Sequence, residues 1–237
     1  QNCPNETYAI LEGRDAIGGT WDLFRYPGIR SDSDMYTLGY RFKPWKSAKA
    51  IADGPSIRSY IRETATEHGI NQHIRFGHKV TNAAWHSETA RWTVTTNKST
   101  LTCRFLYMCS GYYNYGQGHR PTWEGEAEFK GQIIHPQFWP ESLDYKGKRV
   151  VVIGGGFTSM DCSRTSVRQG AKEVTLVYRR DMKDMPAADE VHEMIEEGAR
   201  AIFQAGPTRV IVDEKNRVKG LEFIRMQLGA PDASGRR

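Results

Sequence analysis

The chain has 237 residues, 38% of them hydrophobic, with a mean hydropathy of −0.63, enough for one large or two small domains around a sizeable core. No apolar run approaches the roughly 20 residues that a membrane-spanning helix requires. The 33 basic and 28 acidic residues leave a net charge of only +5, and its dispersal describes a solvated surface rather than a nucleic-acid face.

The chain opens on the polar Gln1-Asn2-Cys3-Pro4-Asn5-Glu6-Thr7. It shows neither a signal peptide nor an initiator methionine, as expected of a fragment or a processed chain. Cys3, Cys103, Cys109 and Cys162 form no C-x-x-C pair, which disfavours a redox dithiol and a zinc ribbon. Scattered thiols fit a reducing, cytoplasmic setting.

Tyr8 to Glu12 is a short apolar run ending in an acid, read as a strand. Residues 13–55 are rich in Gly, Pro, Asp and Ser and read as functional loop with brief helix. Ser56 to His68 places Ile57, Tyr60, Ile61 and Ala65 on one helical face, and Gly69 stops it. Three β runs follow, from Lys79-Val80 to Trp85, Arg91 to Thr95 and Leu101 to Met108, and are expected to form a meander leading to Cys109-Ser110-Gly111. Arg149 to Ile153 reads as a buried strand, Phe157 to Gln169 as a helix and Glu173 to Val177 as the next strand. Together these make a βαβ unit. Glu190 to Glu197 reads as a short helix. Arg209 to Val212 and Val218 to Met226 read as a hairpin across Asp213 to Asn216, and Gly229 to Arg237 as a polar, frayed end.

Between that strand and helix, Gly154-Gly155-Gly156-Phe157-Thr158-Ser159 matches G-x-G-x-x-[small]. Gly154 permits the tight turn, Gly156 lets backbone approach a pyrophosphate, and the helix N-terminus at Thr158 offers free N–H groups to that anion. The alternative is a merely structural glycine turn. After the second strand, an NAD site would carry an acid for the ribose 2′-hydroxyl. This chain has Tyr178-Arg179-Arg180, and two guanidinium groups suit a 2′-phosphate, so NADP is expected unless these are ordinary surface arginines. Glu12 ends its strand as the ribose-binding acid of an FAD-type unit would. The matching glycine loop should lie about 20 residues upstream and is absent. His192-Glu193 begins an H-E-x-x-H pattern, but Glu196 stands where the second histidine is needed, so no metal is expected.

The stretch from Phe129 to Pro140 reads F-x-G-x-x-x-H-x-x-x-W-P, with His135 and Trp139 at its centre. It resembles the signature of the Baeyer–Villiger monooxygenases. Ile17-Gly18-Gly19-Thr20-Trp21 resembles the flavin-contacting G-G-T-W of flavin monooxygenases, and Arg25-Tyr26-Pro27-Gly28 to Ser31-Asp32 resembles the family's active-site loop. The similarity covers about residues 3–153. It implies an α/β, two-dinucleotide-binding-domain (Rossmann-like) flavoprotein whose N-terminal FAD strand and glycine loop are missing here. The implied division is a truncated FAD-binding domain with the meander at 1–128, a signature linker at 129–147 and an NADP-binding domain at 148–237. The implied FAD contacts are Glu12, Gly18, Gly19, Thr20, Trp21, Val80 and Gly111. Asp32 lies near flavin and nicotinamide, or caps a loop. With Asp32, His135 is the other implied catalytic candidate: it couples NADP binding to domain movement, makes a structural hydrogen bond, or takes part in acid–base chemistry.

The implied reaction spends NADPH and O2 to insert one oxygen atom into a small organic ketone or sulfide through a C4a-peroxyflavin. From Gly154 onward the match changes. Gly156 to Cys162, Val177 to Arg180, Met185-Pro186-Ala187 and Leu228 to Arg237 resemble the NADPH domain of the glutamate synthase small subunit, which implies electron transfer without oxygenation. No segment matches the context of the family's catalytic arginine, and none is assigned. A non-catalytic NADP-binding fragment, or one completed by a chain segment supplied in trans, is the remaining expectation.

Overall fold

The computed structural model describes residues 5–215, 218–230 and 233. Cys3, Asn216 and most of the polar end after Ala230 therefore lie outside the described residues. The chain divides into two compact units, one of residues 1–23 and 35–116 and the other of residues 24–34 and 117–237.

In the first unit, β1 (Ile10–Leu11) precedes two short helices, α1 (Thr20–Leu23) and α2 (Met35–Leu38). The long helix α3 (Gly54–Glu67) starts two residues before the expected Ser56, for physical reasons. The Asp53 carboxylate accepts from the Ser56 N–H at 2.9 Å, and Pro55 needs no helical N–H partner. Its inward face carries Ile57 and Tyr60, which pack with Met35 and Ala52. Strand β2 (Ile74–Arg75) then pairs in parallel with β1, Ile10 opposite Ile74. The meander is β3 (Val80–His86), β4 (Arg91–Thr96) and β5 (Thr100–Cys103), antiparallel in the order β3-β4-β5.

The expected third run of the meander is too long. Strand pairing stops at Cys103, and Phe105 and Tyr107 beyond it are 79% and 78% exposed. The apolar pattern is real, but no neighbouring strand among the described residues pairs with it.

The second unit holds a three-stranded parallel sheet, β6 (Arg149–Ile153), β7 (Glu173–Val177) and β8 (Arg200–Ile202), in the order β6-β7-β8. Helix α4 (Phe157–Arg168) crosses from β6 to β7, and α5 (Val191–Glu196) precedes β8. The core lies between the helices and the sheet. Met160, Val174, Leu176, Val191 and Met194 are all but fully buried there. A hairpin of β9 (Ala205–Val212) and β10 (Val218–Arg225) completes the unit.

Candidate nucleotide-binding site

The cradle in the second unit follows from the β6–α4 turn. Gly154 has φ +143°, and its N–H donates to the Val177 carbonyl at 3.0 Å. A side chain there is both strained and obstructed, since a Cβ would stand 2.6 Å from the Ser159 hydroxyl. Gly155 is filled from the other side, where a Cβ would meet the Tyr178 ring at 2.5 Å. Gly156 differs from both. It precedes α4 in extended conformation, and a Cβ built on it meets no atom within 4 Å. The chain thus presents open space bounded by glycine at the first turn of a twelve-residue helix, where unpartnered N–H groups and the positive dipole end favour an anion. Thr158 sits in that turn, half-buried.

Arg179 and Arg180 follow directly on β7, at the same end of the sheet as the glycine turn. Neither forms an ion pair with a carboxylate of the described residues, and Arg179 is exposed. These residues fit a dinucleotide with a 2′-phosphate. The turn has room for an anion such as a pyrophosphate, and the two guanidinium groups offer bidentate donors for a further phosphate.

The sequence-predicted flavin contacts fall in the first unit, and several are brought together. Gly19 and Gly111, far apart in sequence, both face the Tyr115 hydroxyl, with would-be Cβ atoms 3.9 and 4.0 Å from it. Glu12 follows β1, and its carboxylate accepts from the Arg14 N–H at 2.8 Å. The Glu12 carbonyl accepts from His78 at 2.9 Å, which sets Glu12 two residues from Val80 at the head of β3. Gly18, Gly19, Thr20 and Trp21 form the turn into α1, closed by the Trp21 N–H on the Gly18 carbonyl at 3.0 Å. The acid and these turns fit a dinucleotide in part. An open groove of about 620 Å³, lined by Phe42, Trp45, Tyr60, Glu63, Glu67 and His68 among others, contains none of the predicted residues.

Asp32 is exposed and lies on the segment 24–34, which groups with the second unit. His135 is half-buried and caps the short 3-10 turn Pro136–Phe138, its Nδ1 accepting from the Gln137 N–H at 3.2 Å. Its ring lies against Gly118, where any side chain would collide with it. Among the described residues, no group of histidine, cysteine, aspartate or glutamate is placed to hold a metal ion. No helix of the described residues is long and apolar enough to cross a membrane.

Two charge clusters escaped the sequence reading. In the first unit Asp22, 5% exposed, receives Arg14 at 2.7 Å, Arg62 at 3.4 Å and Arg58 at 3.5 Å. In the second, Arg30 grips both Glu190 oxygens at 2.7 Å and Asp161 at 3.0 Å, while Arg164 joins Glu190 to Glu197. The local signals are slight: a spacing of i, i+4 puts Arg58 and Arg62 on one face of α3, and i, i+3 puts Asp161 and Arg164 on one face of α4.

Burial raises the Asp161 carboxyl to about 6. Arg30 opposes that shift, and Glu190 and Asp32 add to it. The native state therefore holds a proton that the unfolded chain releases near the ordinary value of 3.8. Asp161 contributes most stability below about pH 4, progressively less as the pH rises through 6, and no further change above. Urea titrations of wild type and Asp161→Asn should reveal this. Relative to the variant, wild type is expected to lose on the order of 1–3 kcal/mol between pH 4 and pH 7. A difference that is flat across that range would refute the assignment.

Residues 33–222 match the model of the pyridine nucleotide-disulphide oxidoreductase family. The chain is 54% identical over 197 residues to the FAD-containing monooxygenase EthA of Mycolicibacterium smegmatis, a match covering 81% of this chain and 40% of that protein. Among solved structures, an oxidized steroid monooxygenase bound to NADP superposes with a TM-score of 0.66 at 30% identity, over 73% of this chain and 34% of that one. A complex of OTEMO with FAD and NADP gives a TM-score of 0.65 at 30% identity, over 76% of this chain and 35% of that one. The chain thus spans about two-fifths of the length of the curated relatives it matches.

Proposed function

The chain belongs to the pyridine nucleotide-disulphide oxidoreductase family, and on that premise we propose that it is the dinucleotide-binding part of a cytoplasmic NADPH- and FAD-dependent monooxygenase of Baeyer–Villiger type. Its reaction inserts one oxygen atom of O2 into a small organic ketone, or oxygenates a sulfide. The observation that carries the reading is the glycine cradle of β6 and α4, which follows the Phe129–Pro140 signature directly in the chain. The names of the relatives and of the superposed structures support it.

In this reading residues 148–237 hold NADP, 129–147 link, and 1–128 contribute to the flavin site. Gly154, Gly156 and Thr158 receive the pyrophosphate, and Arg179 and Arg180 the 2′-phosphate. Glu12, Gly18, Gly19, Thr20, Trp21, Val80 and Gly111 contact FAD, with Asp32 close to the reacting rings and His135 coupling nucleotide binding to the linker. When bound, the flavin supplies hydride acceptance and oxygen activation, while the protein orients it and excludes water.

Titration of the purified chain with NADP⁺ and NAD⁺ tests the nucleotide assignment. NADP⁺ is expected to bind at least ~10-fold more tightly, and replacing both Arg179 and Arg180 by alanine should erase that preference. Equal affinity of the unaltered chain for the two dinucleotides would sink the 2′-phosphate assignment. Visible absorption after excess FAD and removal of what is unbound tests the flavin assignment, which a colourless protein would refute. A second reading, NADPH-linked electron transfer without oxygenation, draws on the resemblance read in the sequence of Gly156 to Cys162 and Val177 to Arg180 to the NADPH domain of the glutamate synthase small subunit. It predicts reduction of an artificial acceptor with no oxygenated product from any ketone.

A further inference from the structure

The segment 24–34 lies along one stripe of α4. The Tyr26 hydroxyl is 3.2 Å from the Thr158 hydroxyl, and Arg30 reaches Asp161 at 3.0 Å. Gly28 crosses in left-handed conformation so close to Thr165 and the Asp161 carbonyl that a Cβ there has no room. Thr158, Asp161 and Thr165 are spaced i, i+3 and i+7, one face of one helix. Arg30 extends the attachment to Glu190, just ahead of α5. The segment is therefore a strap with three fastenings, and its first fastening is a residue of the nucleotide cradle.

We propose that Tyr26 is a positioning residue for the nucleotide phosphate: it donates its hydroxyl proton to Thr158 and so commits the single Thr158 proton to the anion. The proposal rests on the assignment of the β6–α4 turn to NADP. A threonine hydroxyl has one proton and two acceptor lone pairs. While the cradle is empty, either hydroxyl of the pair can be the donor. An anion accepts only, so a phosphate at the turn fixes the direction as Tyr26 to Thr158 to phosphate. Hydrogen bonds chained in one direction polarise and strengthen one another in a partly buried setting. Tyr26 suits the donor role. It is 8% exposed, and burial raises its pKa well above the ordinary tyrosine range, although the Thr158 hydrogen bond works the other way. The phenol thus keeps its proton at any physiological pH. Arg30, held by two carboxylates, keeps the strap and the phenol in register with Thr158.

The test is a double-mutant cycle on NADP⁺ affinity, read by calorimetry on the full chain, with thermal unfolding of each variant in parallel. Tyr26→Phe keeps the ring and its packing, and is expected to weaken NADP⁺ roughly 3- to 10-fold. Thr158→Val removes the group through which Tyr26 acts, and adding Tyr26→Phe to it should weaken binding no further. Thr158→Ser keeps the hydroxyl and should restore the sensitivity to Tyr26→Phe. A merely structural Tyr26 would lower the melting temperature without this dependence on Thr158. Unchanged affinity in Tyr26→Phe, or losses that multiply in the double variant, would overturn the proposal and leave the nucleotide assignment intact. Failure of the unaltered chain to bind NADP⁺ would overturn that assignment, and the proposal with it.

Discussion

Gly156→Val is expected to abolish most NADP⁺ affinity and leave the fold nearly untouched. The reason is geometric. Gly156 adopts φ −90° and ψ 175°, an extended conformation that valine favours, and a Cβ there meets no protein atom within 4 Å. The structural cost is confined to the helix N-cap, where valine is a poorer residue than glycine by less than about 1 kcal/mol. The added side chain enters the space where a pyrophosphate would meet the free N–H groups of α4. Losing one or two charge-assisted hydrogen bonds weakens binding by on the order of 10- to 100-fold. Gly154→Ala should behave in the opposite way. At φ +143° with the Ser159 hydroxyl in the path of a Cβ, it strains the apo protein by about 1–3 kcal/mol. Calorimetry and thermal unfolding on both variants separate the two cases. A Gly156→Val protein that binds NADP⁺ normally would remove the cradle from the turn.

Asp22→Asn is expected to destabilise the first unit by about 2–3 kcal/mol. The substitution is nearly isosteric, so packing changes little. What changes is charge: Arg14, Arg58 and Arg62 converge on a carboxylate that is 5% exposed, and a neutral amide leaves three guanidinium groups facing one another. Removing one member of a buried ion pair costs about 3–5 kcal/mol. The arginines here are partly solvated, which lowers the figure. Added salt screens the residual repulsion, so the deficit should shrink in urea titrations at high ionic strength. A loss below about 0.5 kcal/mol would mean that solvent already carries these charges.

The parts of the fold legible in the sequence were those with a local physical cause. The β6-α4-β7 crossover is bounded as expected because Val150 and Val152 pack inward, the glycine turn breaks the chain, and Gly170 ends the helix. The end of α3 was legible through Gly69, whereas its start at Gly54, capped by Asp53, came two residues before the expected Ser56. Strands β2 and β8 were not, because two or three residues carry no periodicity and exist as strands only through parallel neighbours. The segment Phe105 to Met108 failed in reverse, having strand composition and no partner strand among the described residues.

Within the candidate site, spacing alone points to the glycines and the arginine pair, which lie at one end of the β6–β7 sheet. The grip of Arg30 on Glu190 could not, since the two lie 160 positions apart in the chain. Nor could the meeting of Gly19 and Gly111 at Tyr115, which needs the first unit already folded.

The two predicted nucleotide contacts are also unequal in folding order. The β6–β7 pair joins residue 149 to residue 173 across a single helix, whereas β1 reaches its partner only by closing the chain from residue 10 to residue 74. Longer closures sacrifice more chain entropy before any contact repays it, and local crossovers form sooner. Glu12 takes its place only when the chain has returned through α3 to β2, whereas the glycine cradle of α4 needs no closure longer than one helix.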